Sequence, residues 1–88
     1  MFIIILILFQ ISLMKNDVKN FEVDFGNRIK ELRLNKKLSQ EMLANDADIP
    51  INQIGRIERA EISTSLKTIF KIAKALDITI IELFNFKK

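Results

Sequence analysis

QEMLANDADIPINQIGRIER, Gln40 to Arg59, carries two short helical patterns on either side of a break. Leu38 and Ser39 stand directly before it and mark a helix start. Ser39 can accept from the free amides of a first turn, Glu41 complements the positive end of the helix dipole, and Leu38 can staple to Leu43 across the cap. The helix that begins at Gln40 should end near Asp46, because Pro50 lacks an amide donor and pushes Ile49 into an extended conformation. A second helix is expected from Pro50 to about Arg59. On its wheel Pro50, Ile54 and Ile57 share an inner face, while Ile51, Asn52, Gly55, Arg56 and Arg59 lie opposite and Gln53 and Glu58 flank the inner side. The outer stripe is polar, basic and long in reach, with Ile51 as its main apolar member, so it is suited to touching something polar.

The flanks supply three more helices. Asp24 is a candidate N-cap for a first helix from Phe25 to Lys36, with Phe25, Ile29 and Leu32 inward and Asn27, Lys30 and Glu31 outward; Leu34 also points out. Ser65 is expected to cap a fourth helix reaching Leu76, with Leu66, Ile69, Phe70, Ala73 and Leu76 as its core face. Lys67, Lys71 and Lys74 fall on one side stripe, which a solvated helix edge explains without any partner. Thr79-Ile80-Ile81-Glu82 is a capping box that opens a last short helix with Ile80, Leu83 and Phe84 inward. Ile81 and Phe86 are left off that face, as harmless exposed singles or as a subunit contact. The pattern is all-α, with one five-helix domain over residues 24–86.

Residues 1–23 precede that domain. FIIILILFQISL, residues 2–13, has no charge; it is shorter than the roughly 20 residues of a membrane-spanning helix. It also lacks the basic leader and small-residue cleavage site of a secretory signal. Three readings stay open: an over-extended start ahead of Met14, an oligomerisation or domain-covering segment, and a weak membrane association. Residues 15–23 read as a polar linker whose Val18, Phe21 and Val23 lean on the domain.

Composition narrows the chemistry. The chain has 88 residues and contains no Cys, His, Trp or Tyr. Disulfides, the usual transition-metal ligands, thiolate nucleophiles and the commonest acid–base side chain are therefore missing. The acidic residues are dispersed among Lys and Arg, and Gly26 and Gly55 cannot form a phosphate-binding loop. We expect no enzyme activity, no metal and no cofactor. A net charge of +3 with a pI near 9.4 is a mild indication of a polyanionic partner. A domain of this size has a limited core, so a partner subunit would supplement its stability.

The stretches FGNRIKELR, LSQEMLA, RIER and LKTIFKIAKALDI followed by ELF resemble the phage Cro and repressor type of helix-turn-helix protein, over about Phe25 to Phe84. Ala44 is small where the paired helices of that family cross, and Leu43, Ala47, Ile49, Ile54 and Ile57 occupy its buried positions. The resemblance implies a five-helix lambda-repressor-like domain whose third helix enters the DNA major groove. It also implies a cytoplasmic homodimer on a palindromic double-stranded DNA operator with half-sites about one helical turn apart. Ile51, Asn52, Gln53 and Arg56 would then read base edges, and Gln40, Arg59, Ser63, Thr64 and Ser65 would meet phosphates. Arg33 and Glu58 match positions that form an ion pair in some members, and as isolated positions they read as surface charges. The side-chain chemistry suits these roles: Asn can pair with two edge atoms of adenine, Arg can fork onto guanine, and an aliphatic can meet a thymine methyl.

The chain departs from the family pattern at Asp48 and Ala60, where glycine is usual, and at Pro50, where a capping Ser or Thr is frequent. Gly55 weakens helix propensity by about 1 kcal/mol relative to Ala but would let the backbone approach DNA. The leading expectation is a sequence-specific transcriptional regulator, most simply a dimeric repressor. The alternatives are a controller or antitoxin-type regulator with a protein partner, using Ile81 and Phe86, and an interaction or membrane-proximal module that has lost DNA binding.

Overall fold

The computed structural model describes residues 2–86, with side chains described except at 9–16. Five helices follow in order: α1 Phe2–Asn35, α2 Gln40–Ala47, α3 Ile51–Glu58, α4 Leu66–Ala75 and α5 Ile80–Leu83. No strand occurs among the described residues. The core is made of side chains from all five helices, with Ile29, Leu43, Ile54, Ile57, Ile72, Leu76 and Leu83 fully buried. Each such side chain contributes roughly 1.5–3 kcal/mol through removal from water. Around this core α2 packs on α3 and α4, and α1 packs on α3.

The largest difference from the sequence expectation is in α1, which starts at Phe2 and not at Phe25. Asp24 lies inside the helix and caps nothing, and residues 15–23 are helical and do not form a linker. The physical reason is an absence of stop signals: the chain has no Gly before Gly26 and no Pro before Pro50, so a helix nucleated in the domain propagates through residues 15–23 at little cost per residue. Phe21 in this stretch stacks on Phe84 with ring centroids 5.8 Å apart and meets Phe86 at 5.6 Å. Phe25 stacks on Phe84 at 5.0 Å. Phe86 is thereby half-buried against its own domain, which corrects its reading as a residue off the packed face.

Smaller corrections follow the same logic. Leu66 is 85% exposed because it is the first residue of α4, and a helical Cβ tilts toward the N-terminus, away from the core. Phe70 is 59% exposed, while Thr68 and Ile72 are buried. Two apolar arcs compete on α4, and packing on α2 selects the one centred on Ile72 and Leu76. Ile80 is also largely exposed, leaving Leu83 and the half-buried Phe84 as the inward residues of α5. Pro50 is the exposed N-cap of α3 and not its first turn, with an extended ψ of 140°. Helix α2 runs one residue past Asp46.

Four helices end in the same way. Lys37, Asp48, Ala60 and Asp77 all adopt the left-handed conformation, with φ between 56° and 59°. The next residue in each case donates its amide back to the carbonyl five positions earlier: Leu38 to Arg33 at 3.0 Å, Ile49 to Ala44 at 3.0 Å, Glu61 to Arg56 at 2.8 Å and Ile78 to Ala73 at 3.1 Å. These are Schellman closures made without a single glycine. Asp48 and Ala60 therefore keep the family's turn geometry with residues that are strained in it, by about 1–2 kcal/mol where nothing compensates. Glycine is used instead where helices touch. A Cβ on Gly26 would lie 2.6 Å from the carbonyl oxygen of Ile57 and 2.7 Å from that of Glu58, so α1 crosses the last turn of α3 at backbone contact.

Two glycine substitutions should consequently act in opposite directions. Lys37→Gly relieves left-handed strain at an exposed site and should raise stability by about 0.5–1 kcal/mol, net of the added freedom of the unfolded chain. Gly26→Ala should lower it by at least about 1–3 kcal/mol, because the obstacle is backbone. Urea midpoints of the two variants measure both effects.

Candidate nucleic-acid interface

Helix α3 presents its outward arc through Asn52, Arg56 and Arg59, all exposed, with Ile51 exposed at its start and Gln53 half-buried at its edge. Ile54, Ile57 and Glu58 hold the opposite side in the core. Neither Asn52 nor Arg56 makes a side-chain hydrogen bond among the described residues. Two polar side chains, the short amide of Asn52 and the long guanidinium of Arg56, thus project from one face of a fixed helix. No cluster of His, Cys, Asp or Glu able to hold a metal occurs among the described residues.

The orientation of α3 is set by a buried ion pair. Arg33 Nε donates to Glu58 Oε2 at 2.7 Å and Arg33 Nη2 to Glu58 Oε1 at 3.1 Å. The two side chains are only 8% and 4% exposed. Arg33 Nη1 also donates to the Leu38 carbonyl at 2.9 Å, and Gln40 Nε2 donates to Glu58 Oε1 at 3.0 Å. One fork therefore ties the last turn of α1, the α1–α2 loop, the first residue of α2 and the last of α3. Burying two charges is costly, and bidentate geometry with additional hydrogen bonds is what makes such a pair tolerable.

Gly55 differs from its outward sequence reading, since it is buried. A Cβ there would come within 2.9 Å of Arg59 Nη1 and 3.1 Å of Gln40 Oε1. The missing side chain lets Gln40, from the start of α2, and Arg59, from the end of α3, converge over it. Arg59 Nε donates to Glu61 Oε2 at 2.7 Å. That hydrogen bond, with the attraction of the guanidinium, holds the Glu61 carboxyl below the usual carboxylate range and raises Arg59 above the ordinary arginine value.

The α3–α4 loop is also engaged. Ser63 Oγ donates to Glu22 Oε2 at 2.6 Å, and Lys19 Nζ donates to the Ala60 carbonyl at 2.7 Å. Ser65 caps α4, accepting from the Thr68 amide at 3.2 Å, and Thr64 is half-buried. Nothing in the sequence pattern points to Lys19, Glu22 or Glu61. Reading residues 15–23 as a linker hid the first two, and the Arg59–Glu61 spacing matches no helical pairing.

These helices define a class of protein, the helix-turn-helix DNA-binding regulators. The helix-turn-helix family HTH_3 matches residues 29–83. The chain belongs to this family, the Cro and repressor type that the sequence resembles. The control protein C.BamHI of Bacillus amyloliquefaciens is 38% identical over 68 residues, spanning 76% of this chain and 84% of the relative. The control protein C.MunI of a Mycoplasma species is 39% identical over 71 residues, spanning 80% and 92%. Among solved structures, the restriction-modification controller protein C.AhdI from Aeromonas hydrophila superposes with a TM-score of 0.68 at 46% identity, covering 69% of this chain and 92% of that one. Among the described residues no helix is long and apolar enough to cross a membrane.

Two measurements probe this site. Glu58→Ala should destabilise the protein by about 3–5 kcal/mol by stranding the Arg33 charge, whereas joint replacement, Arg33→Met with Glu58→Leu, should recover most of the loss. Thermal melts of the two variants check this. The carboxyl of Glu61 should titrate by NMR below the ordinary carboxylate range and return to it in Arg59→Ala. Its folded-state value is depressed, so the pair's contribution is present above the unfolded carboxylate value and lost as pH falls through the folded one.

Proposed function

We propose that this chain is a sequence-specific, double-stranded-DNA-binding regulator that acts as a homodimer by occupying a two-fold operator. Helix α3 enters the major groove, and Ile51, Asn52, Gln53 and Arg56 read base edges. Gln40, Arg59, Ser63, Thr64 and Ser65 meet phosphates on either side of it. The observation that carries this reading is the exposed Asn52–Arg56–Arg59 arc on a helix whose inner side is locked by the buried Arg33–Glu58 fork. Asn52 and Arg56 supply the groups that pair with adenine and guanine edges. Arg59 lies one turn on, where the helix leaves the groove and the backbone is the nearest partner. Ile81, 82% exposed on α5, is the dimer contact of this proposal.

A role as a controller of a restriction–modification system is the setting we favour for this activity, in preference to a free-standing repressor. The support is the naming of three relatives as control or controller proteins, with the chain spanning most of each. A module that has lost DNA binding fits poorly with two unpartnered polar side chains on α3.

Selection from a random duplex pool tests the reading. The protein should enrich a two-fold-symmetric site, with affinity falling steeply as salt rises. Arg56→Ala should cost about 1–3 kcal/mol and relax preference at one base position, whereas Arg59→Ala should weaken binding to every sequence alike. No enrichment and no salt slope would remove the DNA reading, and equal losses from both variants on specific and random DNA would remove the assigned roles.

A further inference from the structure

The apolar start of α1 is the largest surface feature that DNA binding leaves unused. Every residue from Phe2 to Leu8 is a large apolar side chain between 48% and 74% exposed. At 100° per residue these positions wrap the whole circumference of the helix, leaving no polar side. Their exposed area, on the order of 800 Å², exceeds the largest apolar patch of an ordinary monomer and equals one partner's share of a standard protein interface. No charge occurs between residues 2 and 14. The family match begins only at residue 29, so this rod lies outside the DNA-binding unit.

Two environments could cover it, a bilayer or more copies of the same rod. The bilayer fits badly. No helix among the described residues is long and apolar enough to cross one. Lying flat in the interface requires a polar face toward water, which Phe2 to Leu8 do not offer. The chain has no Trp and no Tyr, the residues that anchor helices at headgroup depth. Side-by-side packing has none of these problems, because the apolar flanks cover one another. A pair of rods covers only about half of each circumference, so an all-round apolar rod is satisfied by three or more.

We propose that copies of this chain associate through the Phe2–Leu8 rods into a helical bundle of at least three members. This interface is separate from the Ile81 contact, which by itself closes at two, and it does not depend on DNA binding.

Sedimentation velocity of the full chain without DNA, alone and with phosphatidylcholine–phosphatidylglycerol vesicles, tests this. The expected result is a defined species of three or more copies that stays with the protein fraction when vesicles are present. Joint substitution of Ile3→Gln, Ile5→Gln and Leu8→Gln should reduce it to a dimer or monomer, with circular dichroism showing that the domain is still folded. Ile81→Gln should leave rod-mediated association in place. A second readout needs no disruption: Ile4→Cys, the sole thiol in a cysteine-free chain, should crosslink between copies with a short bis-maleimide, and Lys30→Cys should not. The proposal is overturned if the wild-type chain is monomeric or only dimeric, or if it forms aggregates of no fixed stoichiometry. It is equally overturned if the triple variant stays large, if Ile4→Cys fails to crosslink, or if the chain moves to the vesicles.

Discussion

The Arg33–Glu58 fork is the interaction on which the geometry of this domain depends. Hydrophobic burial is non-directional and would hold α3 against the core at a range of tilts. A bidentate guanidinium–carboxylate pair accepts very little deviation, and this one is further tied by Gln40 and the Leu38 carbonyl. Helix α3 is thus aimed by four polar groups drawn from α1, the α1–α2 loop, α2 and α3 itself. The neighbouring close crossing at Gly26 brings the same two helices to backbone contact, so the charge pair and the missing side chain impose the same spacing.

The helix ends reveal a second economy. All four turns that redirect the chain use left-handed residues that are not glycine, and three of the four closing residues, Leu38, Ile49 and Ile78, are apolar and half-buried. Their packing onto the core accompanies the back-bonded amide, which is what allows Lys, Asp or Ala to occupy the strained position. The two glycines go to sites where a side chain has no room, under α3 at Gly26 and beneath Gln40 and Arg59 at Gly55.

Much of this was legible in the chain because the signals were local. Ser39, Ser65 and the Thr79–Glu82 box each announce a helix start, and the inward residues of α2 and α3 follow from a 3.6-residue wheel. The family resemblance supplied the pairing of Arg33 with Glu58, which spacing alone could not give across 25 positions. What was illegible depended on tertiary context. The helix through residues 15–23 is announced only by Val18 and Phe21, which continue the Phe25–Ile29–Leu32 face at helical spacing in an otherwise polar stretch, and its partners Phe84, Phe86, Ala60 and Ser63 lie far along the chain. The α4 face expected from the wheel takes in Leu66 and Phe70 and omits the buried Ile72, because the arc that turns inward is selected by packing on α2, which a wheel does not contain. Gly55 looked open because a wheel shows direction and not what neighbouring side chains cover.

The continuity of α1 has a consequence for how the domain meets a ligand. One unbroken helix holds α3 at its last turn through Arg33 and Gly26 and holds the α3–α4 loop through Lys19 and Glu22. Helix and loop are therefore both tied to a single strut. Most of the conformational entropy of the outward α3 face is given up when the chain folds, and little remains to be lost on any association beyond the rotamers of Asn52, Arg56 and Arg59. Under the DNA reading proposed for this face, docking is close to rigid, with discrimination resting on fit and not on the protein's ability to adapt to the site it meets.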